Sequence, residues 1–295
     1  MGEESEFRTF SYEVLAGPDD LLVEQIESGC TFKFDYAKVY WNSKLGHEHE
    51  RLINLFKPGE VVVDVMAGVG PFAVPAGKKG VFVWANDKNP ESFRWMKEAI
   101  DRNKVQQYVM PFNEDGRLFI RRAADLVYEA SKQGVYAVEH PRFKPSRSNP
   151  QPRPPPTRIA LPATISHFVM NLPALATTFL HHFKGLYADK ESLFTPHTEA
   201  KLPMVHVHCF AMKNSEDLPP LWPGQKMTAE EVRADLLKRV YDEIGFQFQV
   251  GNPDIGGQLE MRVVRIVAPN KVMYCLTFRI PPEVAFAPRP QHQET

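Results

Sequence analysis

Short unbroken apolar runs alternate along this chain with stretches whose apolar residues recur three and four positions apart. That is the pattern of buried strands separated by amphipathic helices. Val61-Val62-Val63, Val81-Phe82-Val83-Trp84-Ala85 and Ile165-Ser166-His167-Phe168-Val169 are the clearest strands, and Gln107–Pro111 and Met204–Phe210 extend the series. Glu48–Phe56, with Leu52, Ile53, Leu55 and Phe56 at helical spacing, predicts the helix that leads into the first of them. Pro90–Lys104 predicts a second helix, with Asn89 as N-cap and Pro90 at its first position. Further helices are expected over Gly116–Lys132, over Ala174–Phe183 and over Thr228–Ile244, where Thr228 and Glu231 have capping-box spacing. Leu259–Val267 and Lys271–Ile280, joined by Ala268-Pro269-Asn270, predict an antiparallel hairpin. Phe7–Val14 and Thr31–Tyr40 read as strands of a small N-terminal subdomain. Alternating β and α elements closed by a hairpin give an α/β fold with a mostly parallel sheet and one antiparallel strand.

Residues 141–162 break the pattern. They hold Arg153-Pro154-Pro155-Pro156 and the basic residues Arg142, Lys144, Arg147, Arg153 and Arg158, with no acid. Such a composition packs no core and reads as an exposed insertion. It joins a helix to the start of a strand, so it belongs at the sheet edge opposite the ligand-binding edge. The expected organisation is an N-terminal subdomain over 1–47, a main domain over 48–285 and a tail over 286–295. The net charge of −1 does not mark a nucleic-acid binder, although a basic patch on one face suffices for that role. Cys30, Cys209 and Cys275 are far apart, which argues for a reducing compartment and against structural zinc or a disulfide framework. No apolar run is long enough to span a membrane. The start, Gly2-Glu3-Glu4-Ser5-Glu6, carries no signal peptide and reads as a cut through a longer protein.

The chemistry concentrates in Asp64-Val65-Met66-Ala67-Gly68-Val69-Gly70-Pro71-Phe72, a strand end, a glycine turn and the start of a helix. Gly68 and Gly70 let the backbone turn sharply and leave room for a ligand. The helix N-terminus beyond them offers free N–H groups. Asp87, at the tip of the second strand, stands where a nucleoside ribose is held through its hydroxyls. Gly68-x-Gly70-x-x-Ala73 also satisfies the loose dinucleotide fingerprint, and a structural turn without a ligand is the plain alternative. Two features favour S-adenosylmethionine over a nicotinamide cofactor. Asp64 precedes the turn, where an acid can bind the amino group of a methionine moiety. Met170-Asn171-Leu172-Pro173 puts an amide and rigid carbonyls at the carboxyl edge of the sheet. A nicotinamide oxidoreductase is disfavoured because no second nucleotide-binding half follows.

These stretches jointly resemble the catalytic part of the archaeal and eukaryotic tRNA (guanine-37-N1)-methyltransferases, the Trm5 family. Phe7-Arg8-Thr9-Phe10, Leu15-Ala16-Gly17, Tyr40-Trp41-Asn42-Ser43-Lys44-Leu45, Glu48-His49-Glu50-Arg51-Leu52, Asp64–Phe72, Asn86-Asp87-Lys88-Asn89-Pro90 and Asn171-Leu172-Pro173 carry the likeness in the family's order. The resemblance implies a class I, Rossmann-like methyltransferase fold, S-adenosyl-L-methionine as cofactor and methylation of N1 of guanosine 37 in tRNA. It implies Glu48 as the base that removes the N1 proton, Arg8 as the cation that stabilises O6, and Asn171 as a positioning amide. Tyr40 would line the methyl end of the cofactor site, Asp87 would hold the ribose and Asp115 would meet the adenine amino group. Asp64, Ala67, Gly68, Gly70, Lys88 and Pro173 complete that site by the same resemblance. It further implies a monomer without an intrinsic metal, in the cytoplasm and also in the mitochondrial matrix and nucleus. The family's N-terminal tRNA-recognition domain is missing from this chain, and the proline-rich insertion looks fungal.

The chemistry so implied is physically coherent, because guanine N1 is a poor nucleophile until its proton leaves. Plainer readings exist for each residue. Glu48 is an acid at a helix start, where the dipole favours one. Arg8 is a surface arginine, Tyr40 a core aromatic and Asp115 a helix N-cap. His47 with His49, and His206 with His208, alternate as metal ligands can, but no Cys or further His joins them at ligand spacing. Two other functions compete. One is transfer of the aminocarboxypropyl group from the same cofactor, and the other is RNA binding without catalysis on the same fold.

Overall fold

The computed structural model describes residues 14–18, 20–141, 154–212, 228–268 and 271–289. Arg8, all of the expected strand Phe7–Val14 except Val14, and residues 142–153 of the insertion lie outside them. The first element among the described residues is a hairpin of β1 (Leu22–Glu27) and β2 (Cys30–Asp35). A 3-10 turn (Ser43–Leu45) then leads into α1 (Gly46–Leu55). β3 (Val61–Asp64), α2 (Ala73–Lys78), β4 (Phe82–Asn86), α3 (Pro90–Asn103), β5 (Val109–Phe112) and α4 (Gly116–Lys132) alternate as the pattern predicts. β6 (Tyr136–Glu139), β7 (Thr157–Ala160) and β8 (His167–Met170) follow. After them come a 3-10 segment (Ala176–Phe183), α5 (Thr198–Lys201), β9 (Met204–Met212) and α6 (Ala229–Ile244). The chain closes with β10 (Gln249–Val250), β11 (Gln258–Ala268), β12 (Lys271–Arg279) and α7 (Pro282–Ala285).

The central sheet has the order β10-β11-β12-β9-β8-β3-β4-β5. Only β12 runs against its neighbours, antiparallel to β9 and to β11, as expected for one reversed strand. β3 and β4 are buried at every residue, as strands covered by helices on both faces must be. The helices start where their caps say. Asn89 Oδ1 accepts the Glu91 N–H at 3.0 Å. Thr228 and Glu231 form the reciprocal capping box.

Three expectations change. The strand read over Thr31–Tyr40 ends at Asp35, because its carboxylate accepts the Ala37 N–H at 3.0 Å and turns the chain. The helix read over Ala174–Phe183 is a 3-10 segment from Ala176. The insertion is not all loop, since β7 pairs with β6 as an antiparallel hairpin. That hairpin sits at the amino-terminal edge of the parallel strands. Tyr108 Oη donates to Glu139 at 2.9 Å and the Val138 N–H to Gln107 at 3.0 Å. Among the described residues the opposite, carboxyl edge is left open.

Candidate active site at the carboxyl edge of the sheet

A cavity of about 360 Å3 opens at that edge. Its wall takes Tyr40, Trp41 and Leu45 from the segment between β2 and α1, His49 from α1, and Ala67, Gly68 and Phe72 from the turn after β3. Asp87 and Lys88 come from the tip of β4, Asp115 and Gly116 from the start of α4, and Asn171 and Pro173 from the end of β8. Of the residues singled out in the sequence, Tyr40, Ala67, Gly68, Asp87, Lys88, Asp115, Asn171 and Pro173 therefore meet around one space.

The glycine turn is fixed by Asp87. Its Oδ2 accepts the Gly68 N–H at 2.7 Å and its Oδ1 accepts the Asn89 N–H at 2.9 Å. Asn86, fully buried, ties the turn to the next loop. Its Nδ2 donates to the carbonyls of Val65 and Glu114, and its Oδ1 accepts the Glu114 N–H at 2.9 Å. Burial pushes the Asp87 carboxyl up to about 6, and the two backbone N–H donors hold it back from going higher. Asp115 caps α4, accepting the Arg117 N–H at 2.9 Å. Burial raises its carboxyl, but the Arg117 amide and the charges of Arg117 and Lys88 outweigh it and the net shift is downward.

Gly68 has φ +57° and nothing within 4 Å of a Cβ built on it, so the turn faces open space there. Gly70 behaves differently and does not line the cavity. With φ +93°, a Cβ there would meet Val74 Cγ2 at 3.0 Å and Met96 Cγ at 3.5 Å. At this position the turn and the packing beneath it already call for glycine. Gly70→Val is expected to lower the unfolding midpoint, because a β-branched residue at that φ is strained and its branch meets the core. A Gly70→Val chain that melts like the parent would return Gly70 to the ligand side.

Asp64 also stands behind the wall. It is completely buried, and among the described residues neither carboxylate oxygen has a hydrogen-bond partner of good geometry, the Met66 amide being only a nearby donor. Burial, and then the neighbouring Asp87, push its carboxyl well above the usual range, with His208 and the Met66 amide offsetting part of this. A folded-state pKa raised above the unfolded one makes the fold lose stability as pH rises through it. Asp64→Asn is therefore expected to flatten the fall of the unfolding temperature as pH rises above the ordinary carboxylate range. Equal slopes for parent and variant in thermal melts would contradict the raised pKa.

Glu48, at the start of α1, is buried and does not line the cavity, although Leu45 and His49 beside it do. Arg51 Nε and Nη2 donate to its two oxygens at 2.7 Å each, and His208 Nε2 lies 2.8 Å from Oε1. Burial raises the Glu48 carboxyl, but Arg51 and His208 bring it down to about 2. Burial disfavours the His208 cation, yet the Cys275 sulfur and Glu48 draw its pKa up to about 10. The spacing argument missed that Cys275 and Glu48 join His208, their ligating atoms all within 4.8 Å of one another. Cys275 reaches it because it is registered directly opposite His208 on β12. Arg51 already places a positive charge on Glu48, so the cluster is an ion-pair network as it stands. His206 turns away to Thr277 Oγ1 at 3.1 Å and His167 Nδ1 at 3.0 Å, and its pKa falls well below the ordinary value, first through burial.

Other wall residues gave no sequence signal. Phe210 from β9, Arg265 and Val267 from β11, and Met273 from β12 close the end of the cavity near Tyr40. Trp41 Nε1 and Asn171 Oδ1, both in wall residues, are buried with no partner among the described residues, a donor and an acceptor left for a ligand.

Residues 23–132 match the family model of the TRM5/TYW2 methyltransferase domain. A tRNA (guanine(37)-N(1))-methyltransferase of Fusarium vanettenii is 57% identical over 289 residues, which cover 98% of this chain and 59% of that protein. Proteins of the same name from Neurospora crassa and Schizosaccharomyces pombe are 56% and 45% identical, over 98% and 96% of this chain and 58% and 59% of theirs. The chain thus spans less than two thirds of the length of these relatives. Among solved structures, Trm5b from Pyrococcus abyssi is similar with a TM-score of 0.55 at 23% identity, over 90% of this chain and 58% of that one. A complex of aTrm5 with tRNALeu gives 0.56 at 21%, over 94% and 58%. TYW2 of M. jannaschii in complex with AdoMet gives 0.51 at 20%, over 91% and 90%. At these identities the likeness is one of fold.

Proposed function

We propose, from the premise that this chain belongs to the TRM5/TYW2 methyltransferase family, that it methylates N1 of guanosine 37 in tRNA with S-adenosylmethionine as cofactor. The observation that carries this reading is the convergence of Gly68, Asp87, Asp115 and Asn171 on one cavity at the carboxyl edge of the sheet. The residues present suit the cofactor. A carboxylate is ready for ribose hydroxyls, open space lies over Gly68, and the Asn171 carbonyl oxygen awaits a donor. When bound, the cofactor supplies an electrophilic methyl on a sulfonium.

Asp87 orients the nucleoside end and Asp115 accepts from the adenine amino group. Asn171 positions the acceptor base at the Tyr40 end. Glu48 is assigned as the base that would take the N1 proton of the acceptor guanine. A carboxylate whose pKa is about 2 is a weak proton acceptor. The assignment therefore requires the incoming nucleotide to displace Arg51 or His208 from one of its oxygens. Arg8 keeps its assignment as the O6 cation on the resemblance alone.

The test is one incubation with S-adenosylmethionine and tRNA bearing guanosine at position 37, read by nucleoside mass. A gain of one CH2 on that guanosine is expected. A gain of an aminocarboxypropyl group would favour the TYW2-like reaction, and an unchanged mass despite RNA binding would favour a binding module.

A further inference from the structure

β11 carries Arg265 where its ladder to β12 is interrupted twice, between Val263 and Arg265 and between Ile266 and Ala268. Bulges re-aim side chains beside active sites. Here Arg265 and Val267 both reach the cavity wall, next to Met273, the residue registered opposite Arg265. The other two cations of the wall, Lys88 and Arg117, lie against Asp115 at 3.4 and 3.5 Å. Arg265 has no carboxylate within salt-bridge reach among the described residues. Its one polar contact among the described residues is Nη1 to Asn42 Oδ1 at 3.5 Å, at the limit of a hydrogen bond. That oxygen already accepts the Lys44 N–H at 3.1 Å, and Asn42 Nδ2 donates to Tyr40 Oη at 3.2 Å.

Among the described residues a half-buried guanidinium is therefore held beside Tyr40 with its donors almost unused and no counter-charge. A phosphodiester offers two oxygens in the geometry that such a fork accepts. The site lies at the mouth of the cavity, because the adjoining Ile266, Val267 and Ala268 are exposed. There the backbone of a nucleotide passes when its base is turned inward. Lys271, over the Phe210 ring at 4.0 Å, adds positive charge to the same hairpin.

We propose that Arg265 binds a backbone phosphate flanking the nucleotide that enters the cavity, and so positions the acceptor without taking part in the chemistry. The inference rests on the reading that the acceptor is RNA. The test uses an anticodon stem–loop RNA with guanosine at the target position and single methylphosphonate linkages on either side of it. Parent, Arg265→Ala and Arg265→Lys chains are compared. Arg265→Ala is expected to raise KM for RNA about tenfold, the worth of one charge-assisted pair, with kcat and S-adenosylmethionine affinity near the parent's. The salt dependence of RNA binding should lose a slope of about 0.7–0.9, one phosphate contact. One methylphosphonate position should cost the parent the same factor and leave Arg265→Ala unaffected, and Arg265→Lys should recover part of the loss.

Equal sensitivity of parent and Arg265→Ala to every methylphosphonate would overturn the proposal. So would a loss confined to kcat, which would mark a base-edge contact, or a changed cofactor affinity. If the parent methylates no RNA, the earlier reading fails. Filter retention of the same RNAs then carries the same comparison for Arg265.

Discussion

Glu48→Gln is expected to slow single-turnover methyl transfer by roughly 10²–10⁴-fold, the usual worth of a positioned general base, with cofactor affinity near the parent's. The substitution keeps shape and an acceptor oxygen but cannot take the N1 proton. It also leaves Arg51 and the His208 cation facing a neutral amide. Breaking one side of a buried pair costs about 3–5 kcal/mol, so the unfolding midpoint should fall as well. Arg51→Met separates the two effects. It opens the same pair but leaves the carboxylate in place and relieves its depressed pKa. If Glu48 acts as base, Arg51→Met is destabilised yet keeps far more of the rate than Glu48→Gln. If both variants lose rate in proportion to stability, Glu48 is a structural acid. A Glu48→Gln chain with near-normal single-turnover rate would also exclude it as the base.

The pH dependence of stability gives an independent check on the same carboxyl. Its folded pKa of about 2 lies below the ordinary 4.5, so its contribution is fully present above about pH 4.5 and is lost as pH falls toward 2. Acid melts of the parent should show this loss, and Glu48→Gln should lack it.

The parts of the site legible in the sequence are those whose signal is local. A strand, a glycine turn and an acid at the next strand tip sit within 24 residues, Asp64 to Asp87, and each needs only its own backbone to be placed. Asn171 was legible because the apolar run before it ends there. What was not legible arrives by pairing over long distances. Arg265, Val267 and Met273 reach the cavity because β12 inserts between β9 and β11 and because β11 is bulged. Neither the strand order nor a bulge leaves a mark in hydropathy. His208 and Cys275 meet only through the register of β9 on β12. Gly70 shows a different limit of the sequence. A glycine required by a positive φ and one required by a ligand look alike in sequence, and only the neighbours of the missing Cβ separate them. Thr157–Ala160 was hidden by its proline-rich surroundings, since a two-stranded pairing on the outside of the domain needs little apolar content.

Asp87→Ala should weaken S-adenosylmethionine binding by about 10²-fold or more, because two hydroxyl hydrogen bonds to a charged group are worth about 1.5–3 kcal/mol each. The variant also releases the Gly68 and Asn89 N–H groups that the carboxylate now holds. Asp87→Asn keeps an acceptor for one of them and should fall between the two. The parent's own pH profile gives the sharper test. With a pKa of about 6 in the free site, the carboxylate must lose its proton before it can accept both hydroxyls. Affinity should be level above about pH 7 and fall below pH 6, approaching tenfold per pH unit. Stability should move the other way. A carboxyl whose folded pKa of about 6 exceeds the ordinary 3.8 makes the fold more stable as pH falls between those values. Opposite slopes of binding and of stability in one pH window are not produced by general acid unfolding, which lowers both together. Calorimetric titration at pH 5 and pH 8, repeated in Asp64→Asn to remove the neighbouring carboxyl, decides it. Equal affinities at the two pH values would mean that Asp87 does not hold the ribose as a carboxylate, and that its place is to fix the glycine turn.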